Sequence, residues 1–164
     1  MAYYLASQLL PLGMQVKIIE QDEARCLHLC ELLPKATIIH GNATGHELLE
    51  EEGIAHADAF VSLTGMDEEN IIMSLYAKTK QVSKIVTKVN GEALQYMVDQ
   101  LGMESVVSAK NVTANVITGY VRAMNNSMGS ANVETMYQLI NGKIEALEFQ
   151  IREATKYTGI PLKD

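Results

Sequence analysis

Glu20 closes the run Val16-Lys17-Ile18-Ile19, an apolar stretch that predicts a short strand ending in a carboxylate. An acid placed there can accept hydrogen bonds from both the 2′- and 3′-hydroxyls of a ribose, as in dinucleotide-binding βαβ units. Its plain alternative is a solvated acid at a strand end. Other reactive residues are less well placed. Tyr76 and Lys80 have the Tyr-x-x-x-Lys spacing of an acid/base couple, but they fall late in a predicted helix with no serine placed nearby, so they read as helix-face packing. Cys26 and Cys30 lie four apart on one helix face, and His28 between them faces the opposite way. They cannot converge as a structural zinc site requires. His46 and Glu50 can pair across one helical turn. There is no Gly-x-Ser-x-Gly nucleophile elbow, and nine scattered methionines read as core filler.

The elements that must carry these residues alternate. Residues 2–10 have helical apolar spacing closed by Pro11 and Gly13, and 16–20 read as strand. Asp22 is a cap for a helix that runs to Leu33, where Pro34 stops it. Strands are then predicted at 37–40, 59–63, 84–89 and 105–108. Helices are predicted at 46–52, 67–79 with Asp67 as cap, 92–101 and 111–124. Strands this apolar, each followed by a helix, predict a parallel sheet covered on both faces. The fold class expected is α/β, a Rossmann-like doubly wound parallel sheet. The texture changes at 125–130, a plausible linker. Beyond it, 136–140 and 143–151 read as two strands around Asn141-Gly142, the dipeptide best suited to a type I′ hairpin turn. Leu147, Phe149 and Ile151 alternate with polar residues, so one face of the second strand is expected to be buried.

Composition narrows the class. The chain has 164 residues, and 13 Lys+Arg against 20 Asp+Glu give a net charge of −7. An acidic chain lacks the basic face of a nucleic-acid module and the polybasic patch of a lipid anchor. Hydrophobic residues at 48% and charged residues at 20% argue for a packed core rather than disorder. Two cysteines are too few for a disulfide framework and suggest a reducing compartment. No run of about 18 apolar residues marks a membrane span, and Met1-Ala2-Tyr3-Tyr4-Leu5 lacks the basic start of a signal peptide. A cytoplasmic protein is expected.

A dinucleotide site of this kind also needs a glycine-rich turn that brings backbone N–H groups to the pyrophosphate. None precedes 2–5 in this sequence. The chain is therefore expected to begin inside the first helix of the unit, lacking the usual first strand. That strand would sit in the middle of the sheet, so two strand edges are expected to be unpaired.

The order of elements, together with Ile18-Ile19-Glu20-Gln21-Asp22, His40-Gly41-Asn42-Ala43-Thr44 and the run Ala57-Asp58-Ala59-Phe60-Val61-Ser62-Leu63-Thr64, resembles the KTN/RCK (TrkA-N) family. These are nucleotide-binding regulatory domains of potassium channels and transporters. Asp67-Glu68-Glu69-Asn70-Ile71-Ile72 and Ser108-Ala109-Lys110 match as well. The likeness covers nearly the whole chain, with 1–126 as the N-terminally truncated nucleotide-binding domain. Residues 127–164 form a linker and the start of the family's small β-containing C-terminal domain.

The resemblance implies a role for each matching position. Glu20 would bind the adenosine ribose. Asn42 and Ala43 would flank the adenine, with Asn42 standing where the family often has Asp. Thr64 and Gly65 would line the cleft near the phosphates, Asp67 and Asn70 would shape the following helix start, and Lys88 would face the far end of the nucleotide. Read from the residues alone, Asn42 and Thr64-Gly65 can be plain turns, Asp67 a plain cap, and Lys88 a surface lysine. The implied cofactors are NAD(H) or ATP/ADP. The implied partners are a potassium transporter membrane subunit and further copies of the chain, as a homodimer or higher oligomer. The helix at 111–124, with Val112, Val116, Ile117 and Val121, is the candidate packing element between subunits. The function expected is regulatory, not enzymatic, at the inner face of the membrane through a partner protein. The alternative is a fragment of a nicotinamide-dependent oxidoreductase.

Overall fold

The computed structural model describes residues 1–103, 105–127, 133–139, 144–149 and 159. The chain forms two compact units, Met1–Ala109 and Lys110–Asp164.

In the first unit the expected alternation is present. Helix α1 (Ala2–Leu9) passes through a 3-10 turn at Leu10–Leu12 to strand β1 (Lys17–Glu20). Gly13 ends that turn at φ 82°, a left-handed conformation that costs glycine little. Helix α2 (Glu23–Leu32) follows, capped by Asp22, whose Oδ1 accepts the Arg25 N–H at 2.7 Å. Next come β2 (Thr37–His40), α3 (His46–Glu51), a 3-10 turn at Ile54–His56, β3 (Ala59–Ser62) and α4 (Asp67–Thr79). The unit ends with β4 (Lys84–Lys88), α5 (Glu92–Gln100) and β5 (Ser105–Val107).

The strands form two parallel sheets. In the first, β1 pairs with β2 in the register Lys17↔Thr37 to Glu20↔His40. In the second, of order β3-β4-β5, Ala59 pairs with Lys84 and Lys88 with Val107. No hydrogen-bonded pairing joins β1 to β3. This agrees with the expected doubly wound sheet that has no strand between these two positions.

Apolar packing holds the unit together. Ile18 meets Ala6, Leu29 and Leu33, so α1 and α2 cover one face of β1. Ile19 of β1, Phe60 of β3 and Ile85 of β4 all pack around Leu49, Ile54, Ala77 and Val82. That second cluster bridges the two sheets through α3, the 3-10 turn after it, and α4. Val89, Val98 and Ile71 form a third cluster under α5.

Helix α4 carries a buried polar seam against the second sheet. The Ser74 hydroxyl lies 2.8 Å from Ser62 Oγ and accepts from Thr87 Oγ1 at 2.8 Å. One turn earlier, the fully buried Asn70 clamps two strand ends. Its Oδ1 accepts the Thr64 N–H at 2.8 Å, and its Nδ2 donates to the carbonyls of Thr64 (3.3 Å) and Lys88 (3.0 Å). Asp67 does not cap its own helix as expected. Met66 is the N-cap, and Asp67 reaches across to accept the N–H groups of Asn90 and Gly91 at 2.8 Å each. The reason is competition: two N–H donors at the start of α5 converge on one carboxylate oxygen, a stronger arrangement than a single cap bond.

In the second unit, helix α6 (Ala109–Ser127) runs through the first part of the expected linker. Strands β6 (Val133–Leu139) and β7 (Ile144–Phe149) pair antiparallel, with Leu139 opposite Ile144. The strands expected at 136–140 and 143–151 are thus present with shifted ends. The Asn141-Gly142 turn lies outside the described residues, as do the side chains of Leu147, Phe149 and Ile151.

Replacing Asn70 by Ala strips three hydrogen bonds and leaves the part-buried Thr64 N–H without its side-chain acceptor. The expected loss of stability is about 3 kcal/mol, read from the urea midpoint. Asn42→Ala, which loses only exposed bonds, should cost under about 1 kcal/mol.

Candidate functional site

The C-terminal ends of β1, β2, β3 and β4 carry the residues singled out in the sequence. At the end of β1, Glu20 is half-buried. Its Oε1 accepts the Asp22 N–H at 3.1 Å, which holds the carboxylate at the turn while Oε2 has no recorded partner. Its carbonyl accepts the Gly41 N–H at 2.9 Å and the Cys26 thiol at 3.3 Å. Burial, and then the Glu20 charge, push the Cys26 thiol up, so it stays protonated and serves as a donor. His40, which the sequence reading did not single out, is the register partner of Glu20. Its Nε2 donates to the Gln21 carbonyl at 3.1 Å. Knowledge of the β1–β2 register is what would have found it.

After β2, Asn42 is exposed and its Oδ1 accepts both the backbone N–H (3.0 Å) and the hydroxyl (2.8 Å) of Thr44. The side chain is thus engaged as an Asx turn that orders the loop. Ala43 packs against the cluster around Leu49 and Ile54, so its methyl belongs to the core.

After β3, Thr64 is held from three directions. Asn70 binds its backbone, the Lys88 ammonium donates to its carbonyl, and its hydroxyl exchanges hydrogen bonds with the N–H and carbonyl of Met66. A Cβ at Gly65 would meet nothing within 4 Å. The space beside this turn is therefore open. Lys88 is only 9% exposed, which rules out the surface-lysine reading. The structure thus brings Thr64 and Lys88 into direct contact, with Gly65 next to them. Glu20 and Asn42 stand on the other sheet at adjacent strand exits. Asn90, also not foreseen, extends the network: it donates its N–H to Asp67 and accepts the Ala109 N–H at 3.2 Å. Short polar residues after strands carried the only sequence signal for it.

The Tyr-x-x-x-Lys pair is spent elsewhere. Tyr76 OH and the Lys80 ammonium both donate to the Glu50 carboxylate, linking α3 to α4. The Lys80 bond, then the Tyr76 bond, hold the Glu50 carboxyl below its ordinary range. The bond to Glu50 raises both the Tyr76 phenol and the Lys80 ammonium. Glu50 does not pair with His46, whose ring instead stacks on Tyr76 with centroids 4.0 Å apart. The aromatic face offers more contact than one turn of solvated helix does. Among the described residues, no three His, Cys, Asp or Glu side chains are grouped to hold a metal.

Cys26 is buried and Cys30 exposed. Iodoacetamide at pH 8 should therefore label Cys30 in the native chain and reach Cys26 only after denaturation, as peptide mapping would show.

Residues 1–109 match the family model of the TrkA-N domain. The chain is 34% identical over 134 residues to the Trk system potassium uptake protein TrkA of Halomonas elongata, covering 82% of this chain and 28% of that protein. It is 26% identical over 150 residues to the protein of the same name from Azorhizobium caulinodans, covering 92% of this chain and 31% of that one. A Trk system potassium uptake protein TrkA homolog from Methanothermobacter thermautotrophicus is 29% identical over 150 residues, covering 92% and 66%. The chain thus spans less than a third of the first two relatives. With 109 of its 164 residues matched and a parallel α/β unit built over that span, the chain belongs to the TrkA-N domain family.

Proposed function

We propose that this chain is a regulatory nucleotide-binding module of a potassium uptake system. The observation that carries the reading is the polar rim at the strand exits of a TrkA-N domain, with Glu20 on one sheet and Thr64, Gly65 and Lys88 on the other. Open parallel sheets bind ligands at the carboxyl ends of their strands.

The ligand is NAD(H) or ATP/ADP. Glu20 takes the ribose hydroxyls through its unengaged oxygen. Gly65 and the Thr64 turn let phosphates approach the backbone, and the Lys88 ammonium supplies positive charge at that end. Asn42 and Ala43 shape the loop beside the adenine, Asn42 by ordering its turn and Ala43 by seating it on the core.

The relatives named above are potassium uptake proteins, which favours a transporter membrane subunit as the partner. Among the described residues no helix is long and apolar enough to cross a membrane. Attachment to the inner face of the membrane would then run through that partner, with residues 127–164 beginning a C-terminal domain. Ligand binding would act by differential affinity for two arrangements of paired modules. No bond need be broken, and the one acid/base spacing in the sequence, Tyr76 and Lys80, is already occupied by Glu50.

Pairing of modules is assigned to α6. Val112, Val116, Ile117, Tyr120, Val121 and Met124 recur at helical spacing and are 49–67% exposed. Glutamate at both Val116 and Val121 should convert a dimer to a monomer in sedimentation analysis. A monomeric parent chain would overturn the pairing.

Calorimetric titration with NADH, NAD, ATP and ADP tests the nucleotide reading. Saturable binding of at least one is expected, weakened about tenfold or more in Glu20→Ala through loss of charge-assisted bonds to the ribose. Binding unchanged in that variant removes Glu20 from the site, and no binding of any of the four removes the reading.

A further inference from the structure

The peptide unit between Gln21 and Asp22 is held at both ends. Its N–H, that of Asp22, donates to Glu20 Oε1 at 3.1 Å. Its C=O, that of Gln21, accepts from His40 Nε2 at 3.1 Å. A carbonyl can only accept, so Nε2 carries the proton. The unit is trans, and the C=O and N–H of a planar trans peptide point in opposite directions. The His40 ring and the Glu20 carboxylate therefore grip opposite edges of one rigid plane.

The pairing of β1 with β2 brings the two side chains to that plane. Glu20 and His40 are the last partners in the register. The Gly41 N–H closes the ladder on the Glu20 carbonyl at 2.9 Å, and beyond it the chain turns at once into α2, capped by Asp22. Glu20 is half-buried, whereas Gln21, Asp22 and His40 are exposed. An exposed peptide that loses its carbonyl bond can rotate about its two flanking single bonds. Such a rotation turns the C=O and the N–H together, so it also carries the N–H away from Glu20. Bonds joined through one amide polarise each other as well, and each strengthens the other.

We infer that His40 is a positioning residue for ribose binding. Through the Gln21–Asp22 peptide it fixes Glu20 Oε1 and leaves Oε2 presented to the ribose hydroxyls. The role rests on the nucleotide reading of the strand exits and adds a residue to which that reading gives no part. His40 touches no ligand in this role. It sets the carboxylate before the ligand arrives, and a group ordered in advance loses less freedom on binding. Its effect is therefore confined to ligands that carry ribose hydroxyls. A glutamine at position 40 keeps an N–H donor near the place of Nε2 and preserves the relay.

Two measurements on the full chain test this, with His40→Ala and His40→Gln as variants. Amide hydrogen exchange without ligand reads the relay itself. Protection at Asp22 should fall about fivefold in His40→Ala and return in His40→Gln. Protection at Gly41 should hold in both, reporting an intact β1–β2 ladder. Calorimetric titration then uses ATP, ADP, NAD and NADH, each beside its analogue lacking both hydroxyls of the adenosine ribose. His40→Ala should bind the hydroxyl-bearing nucleotide about fivefold weaker, His40→Gln should restore the affinity, and neither variant should alter binding of the analogue. Unchanged Asp22 protection in His40→Ala overturns the relay with or without a ligand. An equal loss for nucleotide and analogue, or no rescue by glutamine, overturns the positioning role while the nucleotide reading stands. Failure of all four nucleotides to bind the unaltered chain removes that reading, and the role of His40 in binding with it.

Discussion

Parallel pairing imposes an alternation that governs this molecule. Each strand must satisfy two sides, and the side it satisfies decides which layer it joins. β1 spends Val16, Ile18 and Glu20 on β2, and β3 spends Asp58, Phe60 and Ser62 on β4. Side chains follow from the same backbone, since consecutive residues face opposite layers. Ile18 reaches α1 and α2, whereas Ile19 reaches the layer of α3 and α4. The backbone holds each sheet internally. The first sheet is held to the second mainly by apolar packing, a force without direction, with the Lys17 ammonium also bonded to the carbonyl and carboxylate of Glu52 at the end of α3.

The strand exits depend on a different kind of contact. Loops after parallel strands expose backbone groups that the ladder no longer pairs, and buried unpaired groups are costly. Here one amide, that of Asn70, serves three of them at the β3 and β4 exits. Asp67 serves two more at the start of α5. Both residues lie in the first turn of α4, so a single helix start organises both loops of the second sheet. The Lys88 ammonium adds a further bond to the same Thr64 carbonyl. The outcome is a rim whose backbone groups are bonded by the side chains of Asn70, Asp67 and Lys88.

The alternation of elements was legible because apolar runs of strand length, each followed by a capped helix, have few other folds open to them. Asp22 announced its helix and does cap it. Asp67 announced its helix equally well and does not, because a cap signal is local and the donors that outcompete it, Asn90 and Gly91, lie more than twenty residues away. Lys88 was legible as a charge but not as a buried one. Its burial follows from the pairing of β4 on both sides, which no local pattern encodes. Asn42 was readable either as a base contact or as a turn. The bonds to Thr44 establish the turn, and the base contact remains an assignment by resemblance. His40 escaped notice because its position beside Glu20 exists only in the register.

The proposed site is divided along the same line as the fold. Its ribose acid stands on the β1–β2 sheet, and its phosphate-facing turn and lysine stand on the β3–β4–β5 sheet. No backbone ladder fixes the span between those halves. It is set by the packing of Ile19, Phe60 and Ile85 on Leu49, Ile54, Ala77 and Val82. Apolar packing tolerates small shifts at less cost than a hydrogen-bond register, which must slip by whole residues. A nucleotide reaching across both halves would therefore bear directly on the placement of α3 and α4. The link between α3 and α4 through Glu50, Tyr76 and Lys80 lies on that same layer. For the regulatory role proposed above, this would be a physical route by which occupancy of the rim reaches the outer surface of the helices.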